Sequence, residues 1–471
     1  MFRAKFSSSL CFKNMKYATD DGDLSTRVVS IGDTLNQIIP VCEKIGVTRI
    51  SDITYLDRLF IPNYSAILPG TEDSIWVYGG KGPTKLHAKA SALMESIERY
   101  CSLSSTYSKS FIQGTYFELS NIYKKVLHPD EVVEPVEPTY NVNDSVVDFI
   151  KGFDLINNIE VLVPAQLVLS KYSPKAPSVS AFRYSHTNGL ASGNILEEAI
   201  CHALCEVIER DAASIADLCA SAIPYSNLKK VNSLNKEVST NPETIFPEDQ
   251  FVDDASIFAD VDISEIAEKF KTIKFLVKKF AETGISLLIK NITQKDIGIP
   301  TFVASSIEPI TSDYGIYAKG YGTHPDSRVA LVRAITELSQ TRAANIQGAR
   351  DDFKKIRYKQ NDEIYKRKWQ FMPACMSPIE TNLKKTILFS EIRTYIHRDI
   401  LGDLKFILKR LKKAGLKRAI IVDLTNPNVG IPVVRAIVPG LETFEVARLF
   451  TNNELVMGRR AKKHFQKLVH Y

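Results

Sequence analysis

Three segments of the chain carry acidic and other polar residues at a spacing that places them on one face of a helix. The first contains Ser91, Glu95 and Glu98, and the same i, i+4, i+7 spacing recurs twice later in the sequence. Residues four and seven positions apart lie above one another on an α-helix, so each polar triple covers one face across two turns. The later triples are His202, Glu206 and Glu209, with Glu198 one turn earlier, and Arg333, Glu337 and Gln340.

The neighbours of the polar triples predict that these helices are buried. A single triple is more often a solvated helix face. Here the flanking residues are small or apolar, as with Ala92, Leu93 and Ile97 on the first helix. Buried glutamates that face one another repel unless a cation lies between them, and ligand sets made only of oxygen favour Mg²⁺ over zinc. A magnesium nucleotide satisfies both charges.

Basic residues close to the triples supply the opposite charge. Arg333 and Arg342 belong to the third helix, and they can neutralise phosphate oxygens or hold the carboxylates in place. Arg99 and Arg210 each follow directly after a glutamate. For these two arginines, a supporting salt bridge and a ligand contact are equally good interpretations.

Two glycine-containing segments precede the first two of these helices. Residues 79–82 resemble a phosphate-binding loop, but the sequence contains no G-x-x-x-x-G-K-[ST] motif. Lys81 and its flexible backbone could approach phosphate, and an ordinary glycine turn is an equal alternative. Residues 188–194 occupy the corresponding place before the second helix, where Ser192 or Asn194 could instead cap the helix.

A zinc site is not favoured by the spacing of the cysteines. Cys201, His202 and Cys205 have no second Cys or His pair at the spacing of a zinc finger, so we expect them to pack within the fold. The seven cysteines are scattered, which indicates a reducing compartment and a cytoplasmic protein.

Composition describes an ordinary globular chain. Its 471 residues suggest two or three packed lobes, and 44% hydrophobic residues are enough to form a sizeable core. A net charge of +6 suits anionic ligands such as nucleotides and is well below that of a dedicated nucleic-acid binder. No segment approaches the roughly 18 apolar residues that a membrane helix needs. We therefore expect neither a nucleic-acid nor a membrane partner.

Short segments recur along the chain and predict strands and helices that are built alike. Strand pairs followed by long helices indicate a mixed α/β fold of the α+β class with internal pseudosymmetry. The matching segments are residues 61–70 with 431–440, 291–304 with 423–436, and 92–99 with 203–210.

The domain organisation follows from the same pattern. Residues 1–60 are predicted to be the amino-terminal part of the body and residues 61–471 its catalytic part. The polar stretch at residues 226–262 is the predicted surface connection. Residues 328–371 contain no obvious linker.

Together these motifs resemble those of the YcaO family, in the family's order and over most of the chain. The combination is specific, whereas no single motif is. The motifs are Gly80-Lys81-Gly82, Ser91-x-x-x-Glu95-x-x-Glu98-Arg99, residues 188–191, Glu198 to Glu209-Arg210, Arg333-Ala334-x-x-Glu337-x-x-Gln340-x-Arg342, and residues 348–352 and 438–442.

The resemblance implies a YcaO fold with an ATP site between helices, where glutamates hold Mg²⁺ around the triphosphate. Lys16 and Arg27 are the nearest matches to two basic residues that reach the nucleotide in the family, although residues 22–27 are longer than the usual pattern. The implied metal ligands are Glu95, Glu98, Glu206 and Glu209; the implied nucleotide contacts are Ser91, Lys81, Asn194, Glu198, Arg210, Arg333, Lys16 and Arg27; and the implied catalytic residues are Glu337, Arg333 and Arg342, with Glu337 binding metal or ordering Arg333.

The family's chemistry implies ATP-dependent phosphorylation of a backbone amide in a peptide or protein, as in the biosynthesis of ribosomal natural products. External sulfide would give a thioamide, and a Cys, Ser or Thr side chain of the substrate would give an azoline. Many azoline-forming members have a Pro-rich carboxyl terminus, whereas residues 459–471 are basic and contain no Pro. We therefore expect a thioamide-forming enzyme. A cyclodehydratase and a non-catalytic ATP-binding accessory factor remain the alternatives.

The resemblance also implies partners. No fused domain for peptide recognition is visible, so we expect a separate protein, such as a TfuA-like one, to recognise the peptide or deliver sulfur. We also expect a homodimer.

Overall fold

The computed structural model describes twelve parts of the chain, and the fold is built from them. The predicted surface connection lies outside these parts up to residue 258. Residues 348–352 also lie outside them, as does the basic carboxyl-terminal run apart from Arg460. The described residues are 12, 15–18, 24, 26–70, 76–123, 125–134, 136–183, 186–222, 259–309, 315–347, 386–443 and 460.

Groups of strands and helices follow one another along the described parts. The strands are β1 (Arg49–Asp52), β2 (Asn63–Ile67), β3 (Val77–Lys81), β4 (Ile112–Gly114), β5 (Val147–Asp154), β6 (Ile159–Pro164), β7 (Leu190–Ser192), β8 (Asp260–Asp262), β9 (Leu288–Asn291), β10 (Thr301–Pro309), β11 (Gly315–Thr323), β12 (Thr386–Leu388), β13 (Ile420–Asp423) and β14 (Val433–Ile437). The helices are α1 (Ile31–Ile45), α2 (Lys85–Ser102), α3 (Tyr116–Ile122), α4 (Leu196–Ala222), α5 (Ser264–Lys269), α6 (Lys271–Thr283), α7 (Ser327–Gln347) and α8 (Ile400–Lys413).

Three sheets contain the same arrangement of three neighbouring strands. Their orders are β1-β2-β3, β11-β10-β9-β8-β12 and β4-β5-β13-β14-β7, with β6 paired to β5. The neighbours β1-β2-β3, β9-β10-β11 and β13-β14-β7 are antiparallel, and the last strand of each set leads into a long helix, respectively α2, α7 and α4. The predicted mixed α/β fold with repeated strand and helix units is confirmed.

The recurring sequence segments occupy matching places in these units. Residues 61–70 and 431–440 contain β2 and β14, the middle strands of their units, and residues 291–304 and 423–436 contain the turns that enter β10 and β14. One unit is discontinuous in sequence, because β13 and β14 come from the carboxyl-terminal part whereas β7 and α4 come from the middle of the chain. Because of this discontinuity, the third unit does not appear as one contiguous repeat in the sequence.

Glycines let two of the three long helices, α2 and α7, approach their own strands closely. A Cβ at Gly80 would lie 2.2 Å from the carbonyl oxygen of Ala88, and a Cβ at Gly322 would lie 2.0 Å from that of Ala330. Residues 79–81 belong to β3, so the interpretation of residues 79–82 as a glycine turn is wrong, and any contact of Lys81 with phosphate would come from a strand. These glycines instead allow the helix to pack on the strand.

The three units close into a ring. α2 also contacts β7, α4 contacts β11, and α7 contacts β3, so each helix bridges its own unit and the next. The buried residues Leu93, Leu204 and Leu338 represent the apolar faces of these helices. Since those faces pack on the sheets, the polar faces turn toward the centre of the ring.

The amino-terminal part shares its packing with the rest of the body. α1 begins after Ser30, whose hydroxyl accepts from the backbone amide of Asp33, and it packs against α2. β1 pairs with β2 across the predicted boundary at residue 60. Within the described part of the chain, no helix is both long and apolar enough to cross a bilayer.

Candidate active site

The polar triples occupy equivalent positions on the three helices that form the ring. Strand register supports this equivalence, because Gly80 pairs with Tyr64, Ala191 with Val434, and Gly322 with Phe302, each pair joining the last and middle strands of a unit. Counting the same number of residues from each of these last-strand residues into the following helix gives sets of equivalent positions, which we call levels. The three levels are Ser91, His202 and Arg333; Glu95, Glu206 and Glu337; and Glu98, Glu209 and Gln340.

Glu98 has the most clearly defined surroundings among the predicted metal ligands. Its Oε1 accepts hydrogen bonds from the backbone amide of Ser192 at 2.8 Å and from the Ser192 hydroxyl at 2.7 Å. Burial raises the pKa of Glu98 to about 8, and the charges of Glu95 and Glu206 act in the same direction. The side chain stays partly exposed and so remains accessible to a ligand. Ser192 therefore holds Glu98 in place rather than only capping a helix.

Glu206 and Glu209 share this environment on α4. Burial raises the pKa of both carboxyls, that of Glu209 to about 8 with a further contribution from the charge of Glu337. Arg210 partly opposes the shift for both of them. The glutamates in turn raise the pKa of Arg210 although burial lowers it. These carboxyls face one another without full compensation by cations of the chain, which favours a bound divalent cation.

Glu337 differs from its two equivalents because Lys81 pairs with it directly. Its other oxygen accepts from the backbone amide of Tyr321 at 3.2 Å. Burial favours the neutral carboxyl, but Lys81 and Arg210 outweigh that effect and the pKa of Glu337 lies below its ordinary value. Glu337 is therefore ionised and paired, and this ion pair holds the ammonium group of Lys81 at the ring.

The start of α4 gathers several predicted nucleotide contacts. The carboxylate of Glu198 is buried and accepts from the backbone and side-chain amides of Asn194 at 2.9 and 3.1 Å. It also accepts from the backbone of Val28 at 2.5 Å and lies 3.6 Å from Arg27. Thr34 donates to Asn194 at 2.9 Å. Arg27, Asn194 and Glu198 are thus brought together, as the resemblance implied.

Positive charge accumulates at the level of Ser91, His202 and Arg333. Burial lowers the pKa of His202 well below its ordinary value, and the charges of Arg333, Arg27 and Lys81 lower it further. The Nδ1 atom of His202 is buried and has no hydrogen-bond partner among the described residues. This level is therefore suited to an anionic ligand, next to a level suited to a divalent cation.

Two further predicted residues have described contacts outside the polar triples. The guanidinium of Arg342 is fully buried and donates to Asp57 at 2.8 and 2.9 Å and to Glu308 at 2.6 Å, so its described contacts are with structural partners and not with the polar triples. Lys16 forms an isolated backbone bridge to Asp399 and its side chain is exposed.

The remaining sequence predictions for the ring concern Arg99 and two cysteines. Arg99 lies 3.5 Å from Glu95, one turn away on α2, which fits the salt-bridge interpretation. Cys201 and Cys205 are buried free thiols inside an apolar cluster, as predicted.

The donor set fits Mg²⁺ in its chemistry. All four predicted ligands provide carboxylate oxygens, the donors that a hard cation prefers. Within the described ranges, however, no three His, Cys, Asp or Glu side chains already converge closely enough to hold a metal ion. Binding therefore requires the glutamate side chains of α2 and α4 to turn toward the ion.

Comparison with known proteins places the chain in a defined group. Residues 79–442 match the family described as YcaO cyclodehydratase, ATP- and Mg²⁺-binding. An uncharacterized protein of Methanothermobacter thermautotrophicus is 34% identical over 89% of this chain and 96% of its own length. An uncharacterized protein in the tfuA 3′ region of Rhizobium leguminosarum bv. trifolii is 28% identical over 89% of each chain.

Solved structures share the fold. A heterocyclase in complex with substrate and cofactor has a TM-score of 0.68 and 19% identity, over 94% of this chain and 56% of the heterocyclase. This chain thus spans little more than half of that protein. YcaO from Methanopyrus kandleri, bound with AMPPCP and Mg²⁺, has a TM-score of 0.63 and 21% identity over 93% of this chain and 97% of its own.

Proposed function

The chain belongs to the YcaO family of ATP- and Mg²⁺-binding, peptide-modifying enzymes, and from this membership we propose that it converts a backbone amide of a peptide or protein into a thioamide. The observation that carries the proposal is the ring of partly exposed glutamates with raised pKa values, bordered by cations. Such a ring suits a metal polyphosphate better than a metal or an anion alone.

We assign the carboxylates of α2 and α4 to the metal. Glu98 is oriented by Ser192, and Glu206 and Glu209 lie one turn apart on α4. Glu95, paired with Arg99, is the fourth ligand. Each of these four carboxylates has another of them as an electrostatic neighbour. Binding of a cation therefore relieves the repulsion between them that the free protein carries.

We assign the cations to the phosphates. Arg27 and Arg333 lie at the level that accumulates positive charge, with Asn194 and Glu198 at its edge. Lys81 is held by Glu337, which orders the cation rather than binding the metal. Arg342 is left out of this mechanism because its guanidinium is already engaged by Asp57 and Glu308. Ser91, Arg210 and Lys16 complete the proposed nucleotide contacts.

Bound MgATP supplies the phosphoryl group that turns the amide oxygen into a leaving group. The sulfide sulfur then takes the place of that oxygen, so the products are a thioamide, ADP and phosphate. The residues of the ring contribute fixed charges aimed at the transferred group, and this preorganisation stabilises the charge that develops during transfer.

The relative from the tfuA region supports the choice of thioamide. Within the YcaO family, association with a TfuA-like protein is the mark of the thioamide-forming type that the sequence resembles. A TfuA-like partner that delivers sulfur or presents the peptide is therefore part of the proposal.

Mass spectrometry tests the proposal directly. The purified chain, with its TfuA-like partner, is incubated with MgATP, sulfide and candidate peptides, and the source proteome is compared with and without the gene. We expect an oxygen-to-sulfur mass change. Loss of water at a Cys, Ser or Thr would show cyclodehydration, and ATP binding without any mass change would show an accessory role.

A matched pair of variants ties the product to the ring. Glu206→Gln removes a proposed metal ligand and should abolish the mass change. Glu282→Gln makes the same substitution on the exposed surface of α6, where the carboxylate pairs only with lysines, and should leave the product unaltered. Equal activity of the two variants would contradict the assignment of Glu206.

A further inference from the structure

Three side chains outside the polar triples form a buried hydrogen-bonded chain. His186 donates from Nε2 to Glu134, and its Nδ1 accepts from Arg435 at 3.2 Å and from the backbone amide of Asn188 at 3.1 Å. An arginine only donates and a carboxylate only accepts, so these partners determine the tautomer of His186. Glu134 and Arg435 are only 4% and 2% exposed. We call these three residues the relay.

The Arg435 end of the relay lies next to the ring: the backbone amide of Ala436 donates to the carbonyl of Gly189 at 2.7 Å, and Gly189 forms a backbone hydrogen bond with Glu206. Arg435 projects from β14, and its Nε donates to the carbonyl of Leu167 at 3.1 Å. Burial lowers the pKa of Arg435 to about 10, opposed by the negative charges of Glu206 and Glu134. Arg435 in turn is one of the cations that offset the effect of burial on Glu206. The guanidinium therefore interacts with a carboxylate of the relay and with one of the ring.

The repeat of the fold indicates that a cation is not required at this position of the unit. The position of Arg435 on the middle strand corresponds to Ser65 in β2 and Val303 in β10, since these residues pair respectively with Leu190, Gly79 and Tyr321 on the last strand of each unit. Uncharged residues complete the same position twice, whereas the unit that carries Glu206 has a buried cation there.

The relay is also costly for stability by itself. The second carboxylate oxygen of Glu134 is buried without a hydrogen-bond partner among the described residues. A buried ion pair contributes little net stability, because the loss of hydration offsets the attraction between the charges. The relay is thus costly for stability, yet it places the positive charge of Arg435 next to the carboxylate of Glu206. This combination indicates that the relay has a role in the site.

We propose that Glu134, His186 and Arg435 position the carboxylate of Glu206 for Mg²⁺. The inference rests on the proposed metal role of Glu206. His186 holds the guanidinium, Glu134 holds His186, and the charge of Arg435 draws the Glu206 side chain toward one orientation. Residues that orient metal ligands in this way commonly change metal affinity by 10–100-fold when they are replaced.

The Mg²⁺ dependence of nucleotide binding tests the relay. Binding of a non-hydrolysable ATP analogue to the full chain is measured by calorimetry over a range of Mg²⁺ concentrations. His186→Phe should raise the Mg²⁺ concentration needed for half-maximal binding about 10-fold, and Glu134→Gln should raise it as well. Affinity for the analogue at saturating Mg²⁺ should stay the same. A residue with only a structural role would not separate these two quantities.

The control removes an ion pair made by the chain segment that carries Glu134. Arg418→Gln removes the ion pair to Glu131, three residues before Glu134, without touching the relay, and should leave the Mg²⁺ dependence unchanged. Thermal unfolding checks that each variant folds. Should His186→Phe not fold, Glu134→Gln provides the test, because its side chain keeps its shape while the loss of the carboxylate charge weakens the hydrogen bond that holds His186.

Glu206→Gln separates failure of the relay from failure of the proposed function. If Glu206→Gln weakens Mg²⁺ binding but neither relay variant does, the relay inference is overturned and the metal role of Glu206 stands. If Glu206→Gln has no effect, the metal role itself is wrong. The double variant His186→Phe/Glu206→Gln should bind Mg²⁺ no more weakly than Glu206→Gln alone, and an additive loss would overturn the relay.

Discussion

Two groups of charged residues, one around Arg342 on α7 and the other at the centre of the ring, have opposite characters. Around Arg342, one guanidinium meets the carboxylates of Asp57 and Glu308 at hydrogen-bond distance. At the centre of the ring, Glu98 and Glu209 have other glutamates as neighbours and their pKa values rise to about 8. Charges in the first group are satisfied by the fold, whereas those in the second need a partner from outside.

The difference shows how a functional site can be recognised among buried charges. Charge within the packed body alone places Arg342 and Glu209 in the same class. The balance of partners separates them, because a compensated ion network stabilises one arrangement of the chain and an uncompensated one favours a ligand. Substitutions in the two groups should therefore affect different properties.

The largest effect on stability is expected at Arg342. Arg342→Met leaves Asp57 and Glu308 without their cation, and breaking a buried pair in this way costs about 3–5 kcal/mol. Denaturant-induced unfolding measures this loss. Lys274→Met, which removes the exposed pair to Glu268, serves as the control and should cost less than about 1 kcal/mol. Similar losses for both variants would place Arg342 among ordinary surface ion pairs.

Glu209→Gln should show the opposite pattern. It removes a proposed metal ligand, so ATP hydrolysis should fall by roughly 100-fold or more, the scale seen when a group that stabilises transferred charge is lost. The ligand-free protein should be at least as stable as the parent, because the amide carries no charge to repel its neighbours. Assays of hydrolysis and unfolding on the same preparation decide the matter. A variant that hydrolyses ATP normally but unfolds easily would move Glu209 into the structural group.

The smallest effect is the pH dependence of stability that arises from Glu98. Its pKa of about 8 in the folded protein lies above the ordinary value of 4.5. The folded state thus binds the proton more tightly than the unfolded state, and the stability of the ligand-free protein should fall as pH rises from about 5 to about 8. Glu98→Gln should flatten this dependence, by roughly 2 °C in unfolding temperature. An unchanged slope would mean that Glu98 titrates normally.

Local patterns were sufficient to predict the polar faces of the helices that form the ring. The i, i+4, i+7 spacing identified the polar faces of α2, α4 and α7, and the shared Ile-Pro, Ala-Ile and Pro-Gly segments identified two middle strands. Both signals are periodic, so a single sequence reveals them.

Contacts between distant segments could not be predicted in the same way. The partners of Arg342 come from Asp57 and Glu308, and the relay joins Glu134, His186 and Arg435, with no repeated spacing in either case. Residues 79–82 were misread because glycines in a strand resemble a loop until the packed helix is visible. The sequence offered one signal for the relay: residues 431–440 contain Arg435, whereas the recurring counterpart at residues 61–70 has no arginine.

The discontinuous unit has a consequence for synthesis on the ribosome. The units built from β1-β2-β3-α2 and β9-β10-β11-α7 are contiguous in the chain, so their strands can pair soon after they emerge. α4 emerges early but packs on β14, and Ser192 pairs with Val433. Pairings between such distant segments form slowly, because a long loop must close first. The helix that carries Glu206 and Glu209 therefore waits for nearly the whole chain, and a truncated product cannot assemble a competent nucleotide site.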